Sequence, residues 1–334
     1  MSIRLPLGID DFRKLRTSNC YYVDKTGLIE ELLEETFSVN LITRPRRFGK
    51  TLTMSMLSEF FDIRKDSRSI FEGLEIAACT KLCEQWMNQW PVLFLTLKDI
   101  QGSTFEEAYD LLQFTISSLC MEHDYLEASE KVKNADKIRF TRLLNQNGTS
   151  SDLKTALVVL MRMMEAHHGK PVILLVDEYD VPLAKASDHG YYDAMLNIMR
   201  SFLGMAWKTN ASLQFAVITG CLHIAKESIF TGANNFVSRS ISDLWYNRYL
   251  GFSEQGTGRA DILVKDRQNR RAILIETKRS RTEAHMPKDC QIALKQIRQR
   301  QYAGPLLKGY QTVLCYGAAF FEKKCLIKLE SEHT

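Results

Sequence analysis

The chain has 334 residues, 45% of them apolar and 25% charged, with a formal net charge of +4 at pH 7. That length holds two domain cores, and that balance excludes a disordered or collagen-like chain. Up to Leu244 there are 27 basic and 31 acidic side chains, and beyond it 17 and 9, so the C-terminal part is basic, either to meet a polyanion or as a solvated face. The eight cysteines are scattered without a C-x-x-C pair, and Cys79 and Cys83 have no histidine or second pair nearby to complete a zinc site. They read as reduced thiols of a cytoplasmic protein. The start, "MSIRLPLGIDDF", lacks the apolar core of a signal peptide, and runs such as "VILLV" are too short to cross a bilayer. No membrane partner is expected.

The first informative element is "SVNLIT", a predicted strand ending at Thr43, followed by a loop, Arg44–Gly49, and a helix from about Lys50 to Phe61. A strand, loop and helix in that order form a phosphate-binding unit, because the helix N-terminus offers unpaired N–H groups and partial positive charge. Gly49 permits close backbone approach, Lys50 reaches the β- and γ-phosphates, and Thr51 can hold Mg²⁺. The usual pattern, G-x-x-x-x-G-K-[ST], has glycine where this chain has Arg44. The loop arginines either add charge to a phosphate pocket or stand exposed.

Further on, "PVLFLTL", "PVILLVD" and "LQFAVITG" read as buried strands. They alternate with predicted helices over 104–122, 152–168 and 191–207, the pattern of an α/β fold with a parallel sheet flanked by helices. The polar stretch from Glu122 to Asp152 reads as a surface excursion with one short helix. His167 and His168 end a predicted helix, where they favour its dipole. "PVILLVDEYD" delivers Asp177 to a Mg²⁺ shell and places Glu178 to orient or deprotonate a water, or is an ordinary strand with an acidic turn. Thr219, at the end of "LQFAVITG", is placed to sense a γ-phosphate. Asp24 and Lys25, in "YYVDKTG", touch nucleotide or form a surface turn.

Beyond Leu244, "GRADILVKDRQNRRAILIETKRSR" parses as a strand over 260–265, a polar turn over 266–270 and a strand over 272–278. Period-two alternation puts Glu276 and Lys278 on one face, with Asp261 at the start of the partner strand. Asp261 and Glu276 are hard oxygen ligands for Mg²⁺, and Lys278 can orient a water or stabilise a pentavalent phosphate. An exposed hairpin also carries E-x-K as a simple ion pair. The helix "DCQIALKQIRQRQYAG" follows, with Lys295, Gln296 and Arg298 suited to phosphate contacts, and "YQTVLCYGAAFF" extends the sheet.

The stretches "LPLGIDDFRKLR", "YYVDKTGLIEELL", "LITRPRRFGKTLTMSMLSEFFDI", "VILLVDEYDVPLAKA", "AKESIFTGANNF" and "GRADILVKDRQNRRAILIETK" together resemble the bacterial family of AAA-type ATPase-like proteins joined to a C-terminal PD-(D/E)XK nuclease-like domain. The resemblance implies a P-loop NTPase domain over 1–244 and a small α/β nuclease-like domain over 245–334. It makes Arg44 a family trait and adds Arg46, Arg47 and Phe48 to the nucleotide-binding residues. It implies ATP and Mg²⁺ as cofactors, an ATPase with Mg²⁺-dependent endonuclease activity, and nucleic acid, in particular DNA, as partner. A non-catalytic, nucleotide-dependent regulatory protein with a degenerate nuclease domain is the alternative. Two departures stand out: His223 replaces an arginine after "TGCL", and the long helical lid between Asn235 and Gly258 is nearly absent. The segment before the first nuclease strand is shortened with it.

Overall fold

The computed structural model describes residues 8–333 apart from 19, 36, 46–47, 209, 222–228, 231–235, 240–248, 250–260, 267–269, 301, 305 and 322–323. The chain divides into two compact units, Met1–Leu250 and Gly251–Thr334. His223 and the shortened lid region lie outside the described residues, as do Arg46 and Arg47.

The first unit is a parallel sheet of β1 (Val39–Thr43), β2 (Val92–Thr96), β3 (Val172–Asp177), β4 (Leu213–Gly220) and β5 (Phe236–Arg239), in the order β2-β3-β4-β1-β5. Its central strands are apolar at nearly every position because both faces are covered. The two-residue period divides them between two cores. Leu41, Leu174, Val176 and Ile218 face one, and Ile42, Ile173, Leu175 and Val217 face the other.

The helices in chain order are α1 (Phe12–Thr17), α2 (Gly27–Glu34), α3 (Lys50–Phe61), α4 (Arg68–Phe71), α5 (Thr80–Trp86), α6 (Phe105–Met121), α7 (Tyr125–Ala128), α8 (Asn134–Leu144), α9 (Ser150–His168), α10 (Val181–His189) and α11 (Tyr192–Trp207). Helices α1 to α3 pack on one face, while α6, α8, α9 and α11 pack on the other. The start of α9 is a reciprocal cap: the Asp152 amide donates to Thr149 Oγ1 at 3.2 Å, and the Thr149 amide donates to Asp152 Oδ2 at 3.0 Å. Gly169, at φ 73°, closes the helix.

Two local expectations are corrected. The stretch from Glu122 to Asp152 is not a surface excursion with one helix but holds α7 and α8, and Leu126, Val132, Phe140 and Leu143 enter the core. Those apolar residues are spaced widely among charges, so periodicity conceals them. The His168 Nε2 and the Tyr125 hydroxyl share a hydrogen bond of 3.0 Å, and burial, with His167 and Arg64 nearby, pushes the His168 pKa down to about 4. A ring held neutral adds no charge to the helix end.

The second unit is a four-stranded sheet in which β6 (Ile262–Asp266) is antiparallel to β7 (Arg271–Arg279), β7 parallel to β8 (Thr312–Phe321), and β8 antiparallel to β9 (Lys324–His333). The parallel pair needs a crossover, which α12 (Met286–Gln299) supplies. Leu294 and Ile297 of α12 pack on Ala272, Leu274, Val313 and Cys315. Gly317 in β8 is where the helix comes closest: a Cβ there would stand 2.2 Å from the Cys290 carbonyl oxygen and 2.8 Å from Leu294 Cγ. β9 lies beyond the elements expected from the sequence, since it alternates apolar and charged residues along an edge. Among the described residues no helix is long and apolar enough to cross a membrane.

Candidate functional site

In the first unit the phosphate-type loop joins β1 to α3. Gly49 caps α3 at φ 74°, a left-handed conformation that glycine adopts without cost. Phe48 is half-buried beside it. Lys50 is 4% exposed, and its ammonium donates to the Pro45 carbonyl at 3.3 Å and to Cys221 Sγ at 3.2 Å. The contact with Cys221 has no sequence signal beyond the position of Cys221 just past the end of β4.

The ends of β3 and β4 and the start of α3 then meet through side chains. The Thr51 hydroxyl donates to Asp177 Oδ2 at 2.8 Å, and the Thr219 hydroxyl donates to Asp177 Oδ1. Asp177 and Thr219 are wholly buried. β4 lies between β1 and β3 in the sheet, so Thr219 bridges the gap that the topology leaves between them. Glu178 follows at φ 54°, half-buried, with its amide aimed at Thr219 Oγ1 at 3.4 Å. A positive φ at a non-glycine residue is a sparsely populated conformation, held here between a buried strand and α10. Gly220 is packed as tightly: a Cβ would approach Tyr179 Cε1 to 2.6 Å and Asp180 Oδ1 to 2.8 Å.

Arg44, the residue that stands in the place of the first glycine, is fully buried. Its amide donates to the Gly220 carbonyl at 3.0 Å, and its Nη1 donates to the carbonyls of Thr43 at 2.8 Å and Arg239 at 3.0 Å. It ties the end of β1 to β4 and β5, which gives an arginine at the head of the loop a structural reason. Asp24 likewise serves the local chain: Oδ1 accepts the Thr26 amide and hydroxyl at 2.9 and 2.7 Å, and Oδ2 accepts the Glu75 amide at 2.6 Å.

In the second unit, Glu276 and Lys278 lie on the α12 side of β7. The Lys278 ammonium donates to Glu276 Oε1 at 3.0 Å and to Gln296 Oε1 at 2.7 Å. Glu276 is 2% exposed, and its Oε2 is buried without a hydrogen-bond partner among the described residues. A buried, unpartnered carboxylate oxygen beside a cation is a costly arrangement unless something else satisfies it, and a divalent cation has the right charge and ligand preference. Asp261 is hydrogen-bonded to Thr277, the residue between this pair in sequence. Its Oδ2 accepts the Thr277 amide at 2.6 Å and the Thr277 hydroxyl at 2.7 Å, at an exposed position. Among the described residues no three metal-ligating side chains are gathered closely enough to hold an ion.

Of the helix residues expected to meet phosphate, Lys295 and Arg298 are exposed, whereas Gln296 is half-buried and turned to Lys278. Sequence spacing alone does not reveal this, because it depends on the close approach of α12 at Gly317, which faces Glu276 in the β7–β8 register.

Residues 6–230 match the family described as "Predicted AAA-ATPase", and residues 247–330 match the PD-(D/E)XK nuclease superfamily. The chain belongs to the AAA-ATPase-like family and carries a nuclease-like unit after it. A protein of Azotobacter chroococcum mcd 1, described as "Uncharacterized protein in vnfD 5'region", is 28% identical over 253 residues. The match covers 75% of this chain but only 43% of that protein.

Proposed function

We propose that the chain binds ATP with Mg²⁺ at the β1–α3 loop, hydrolyses it, and uses its nucleotide state to control phosphodiester cleavage of nucleic acid, DNA in particular, by the second unit. The observation that carries this reading is the joined set Thr51–Asp177–Thr219 where the ends of β3 and β4 meet the start of α3, beside Lys50. Lys50 exchanges Pro45 and Cys221 for phosphate oxygens, and the amides at the start of α3, with Phe48, Arg46 and Arg47 in the loop, complete the cradle. Thr51 and Asp177 hold the ion, Glu178 takes a proton from water, and Thr219 fixes the orientation of the Asp177 carboxylate. In the second unit Glu276 and Asp261 supply carboxylate oxygens, and Lys278, positioned by Gln296, donates to the phosphate or water. Lys295 and Arg298 contact the nucleic-acid backbone. Bound Mg²⁺ supplies Lewis acidity and a lowered water pKa.

A second reading has one observation in its favour. The Asp261 carboxylate is committed to Thr277 rather than to Glu276, as in a structural hairpin, and the second unit is then a non-catalytic module governed by nucleotide. Cleavage of plasmid and linear DNA with Mg²⁺ separates the two. The proposal predicts cleavage that Lys278→Ala reduces at least ~100-fold, since it removes charge stabilisation of the transition state. A folded, ATP-binding chain without cleavage supports the second reading and contradicts the first.

A further inference from the structure

The strand that carries Glu276 and Lys278 ends one residue later at Arg279, and the chain runs on through Ser280 and Arg281; these three, with Phe321 from the end of β8, line a cavity of about 440 Å³ within the second unit. At ~3.3 Å per residue along a strand, the cavity begins within about 10 Å of Lys278. Arg279 and Arg281 are exposed, and among the described residues neither has a hydrogen-bond or ion-pair partner. The neighbouring carboxylates are engaged elsewhere: Asp289 Oδ2 accepts the Ser280 hydroxyl at 2.6 Å, and Glu283 pairs with Lys324 at 2.6 Å. The Phe321 ring is half-buried and packs against the cluster of Met286, Cys290 and Ala319, which holds it in place where it borders the cavity.

Two free guanidinium groups and one anchored aromatic ring beside an open cavity match a nucleotide whose phosphate is paired and whose base is stacked. A base has a free face for such a ring only when it is not stacked within a duplex. We infer that Arg279, Arg281 and Phe321 form a subsite for an unpaired nucleotide, so that the second unit binds single-stranded nucleic acid in preference to duplex. The inference rests on the proposed role of β7 only for the direction of the strand toward Lys278. The binding itself needs no cleavage.

The test uses the full chain with Lys278→Ala, without divalent cations, and measures fluorescence anisotropy with a labelled oligonucleotide. The same sequence is offered as single-stranded DNA, single-stranded RNA and blunt DNA duplex. At least one single strand binds roughly tenfold tighter than duplex, stacking on one ring being enough for that difference. Phe321→Leu removes the preference and Phe321→Trp keeps it. The exposed pair Arg279→Gln with Arg281→Gln also removes it, and decides the matter if Phe321→Leu fails to fold by circular dichroism. Equal affinity for duplex, or a preference that survives in the folded arginine pair, overturns the inference. Absence of cleavage in the wild-type chain with the preference intact overturns the nuclease reading and leaves the subsite standing.

Discussion

In the first unit the ends of the parallel strands β3 and β4 meet the start of α3, and Thr51, Asp177 and Thr219 join across them; in the second, a hairpin and one helix carry Glu276, Lys278 and Gln296. The first set is internally satisfied: each hydroxyl has a carboxylate oxygen to donate to. The second retains one buried carboxylate oxygen without a partner among the described residues, and its other acid, Asp261, is engaged across the hairpin with Thr277. The first site takes Asp177 and Thr219 from strands buried on both faces and Thr51 from the first turn of α3, so its geometry survives without a ligand. A site on a hairpin depends on where the outer strand begins, and Asp261 sits just before that point.

The largest effect that sharpens this contrast concerns acid. In the first unit the His123 ring is 1% exposed, and its Nδ1 donates to the Leu119 carbonyl at 3.0 Å, which leaves Nε2 buried without a partner among the described residues. Burial, with the Arg64 cation nearby, lowers its pKa from 6.5 to about 4. A base whose folded pKa is depressed binds its proton first in the unfolded chain. Its contribution is therefore complete above pH 6.5 and is lost as pH falls toward 4, amounting to at most about 3 kcal/mol. Thermal unfolding followed from pH 7 to 4 shows the first transition falling, and His123→Leu flattens that slope. A slope unchanged by His123→Leu places the acid sensitivity elsewhere.

Next comes packing in the second unit. Gly317→Val forces α12 away from β8 at a contact that has no spare room, costing about 1–3 kcal/mol. It also loosens the hold of Gln296 on Lys278. The expected result is a lower melting temperature for the second unit with the first unit's ATP binding unaltered. An unaltered melt contradicts the close approach on which the site depends. The smallest effect is that of Asp261→Ala. If Asp261 only staples the hairpin, the loss is about 1 kcal/mol. If it also holds the ion, cleavage falls well beyond what that destabilisation explains, and comparing the two losses in one preparation distinguishes the roles.

Much of the first unit is readable from residues alone. Continuous apolar runs announce β1 to β4, and Gly49-Lys50-Thr51 after such a run announces the loop. What stays hidden is what depends on distant partners. Arg44 looks like a phosphate ligand until its guanidinium is found on the carbonyls of Thr43 and Arg239. Of α7 and α8 the sequence suggests one short surface helix, because their few buried residues lie among charges. In the second unit the alternation of Glu276 and Lys278 is legible, since period two fixes a shared face. The turn of Gln296 toward Lys278 is not, because a missing side chain at Gly317 sets how close the helix comes.

The central claim is that the first unit's nucleotide governs the second unit's chemistry, and it is tested most directly by the rate of nucleic-acid cleavage in Mg²⁺, with and without ATP, for the wild-type chain and for Lys50→Ala. The account predicts that ATP changes the wild-type rate and leaves that of Lys50→Ala untouched. Cleavage at one rate in all four conditions would contradict it, leaving two independent activities in one chain.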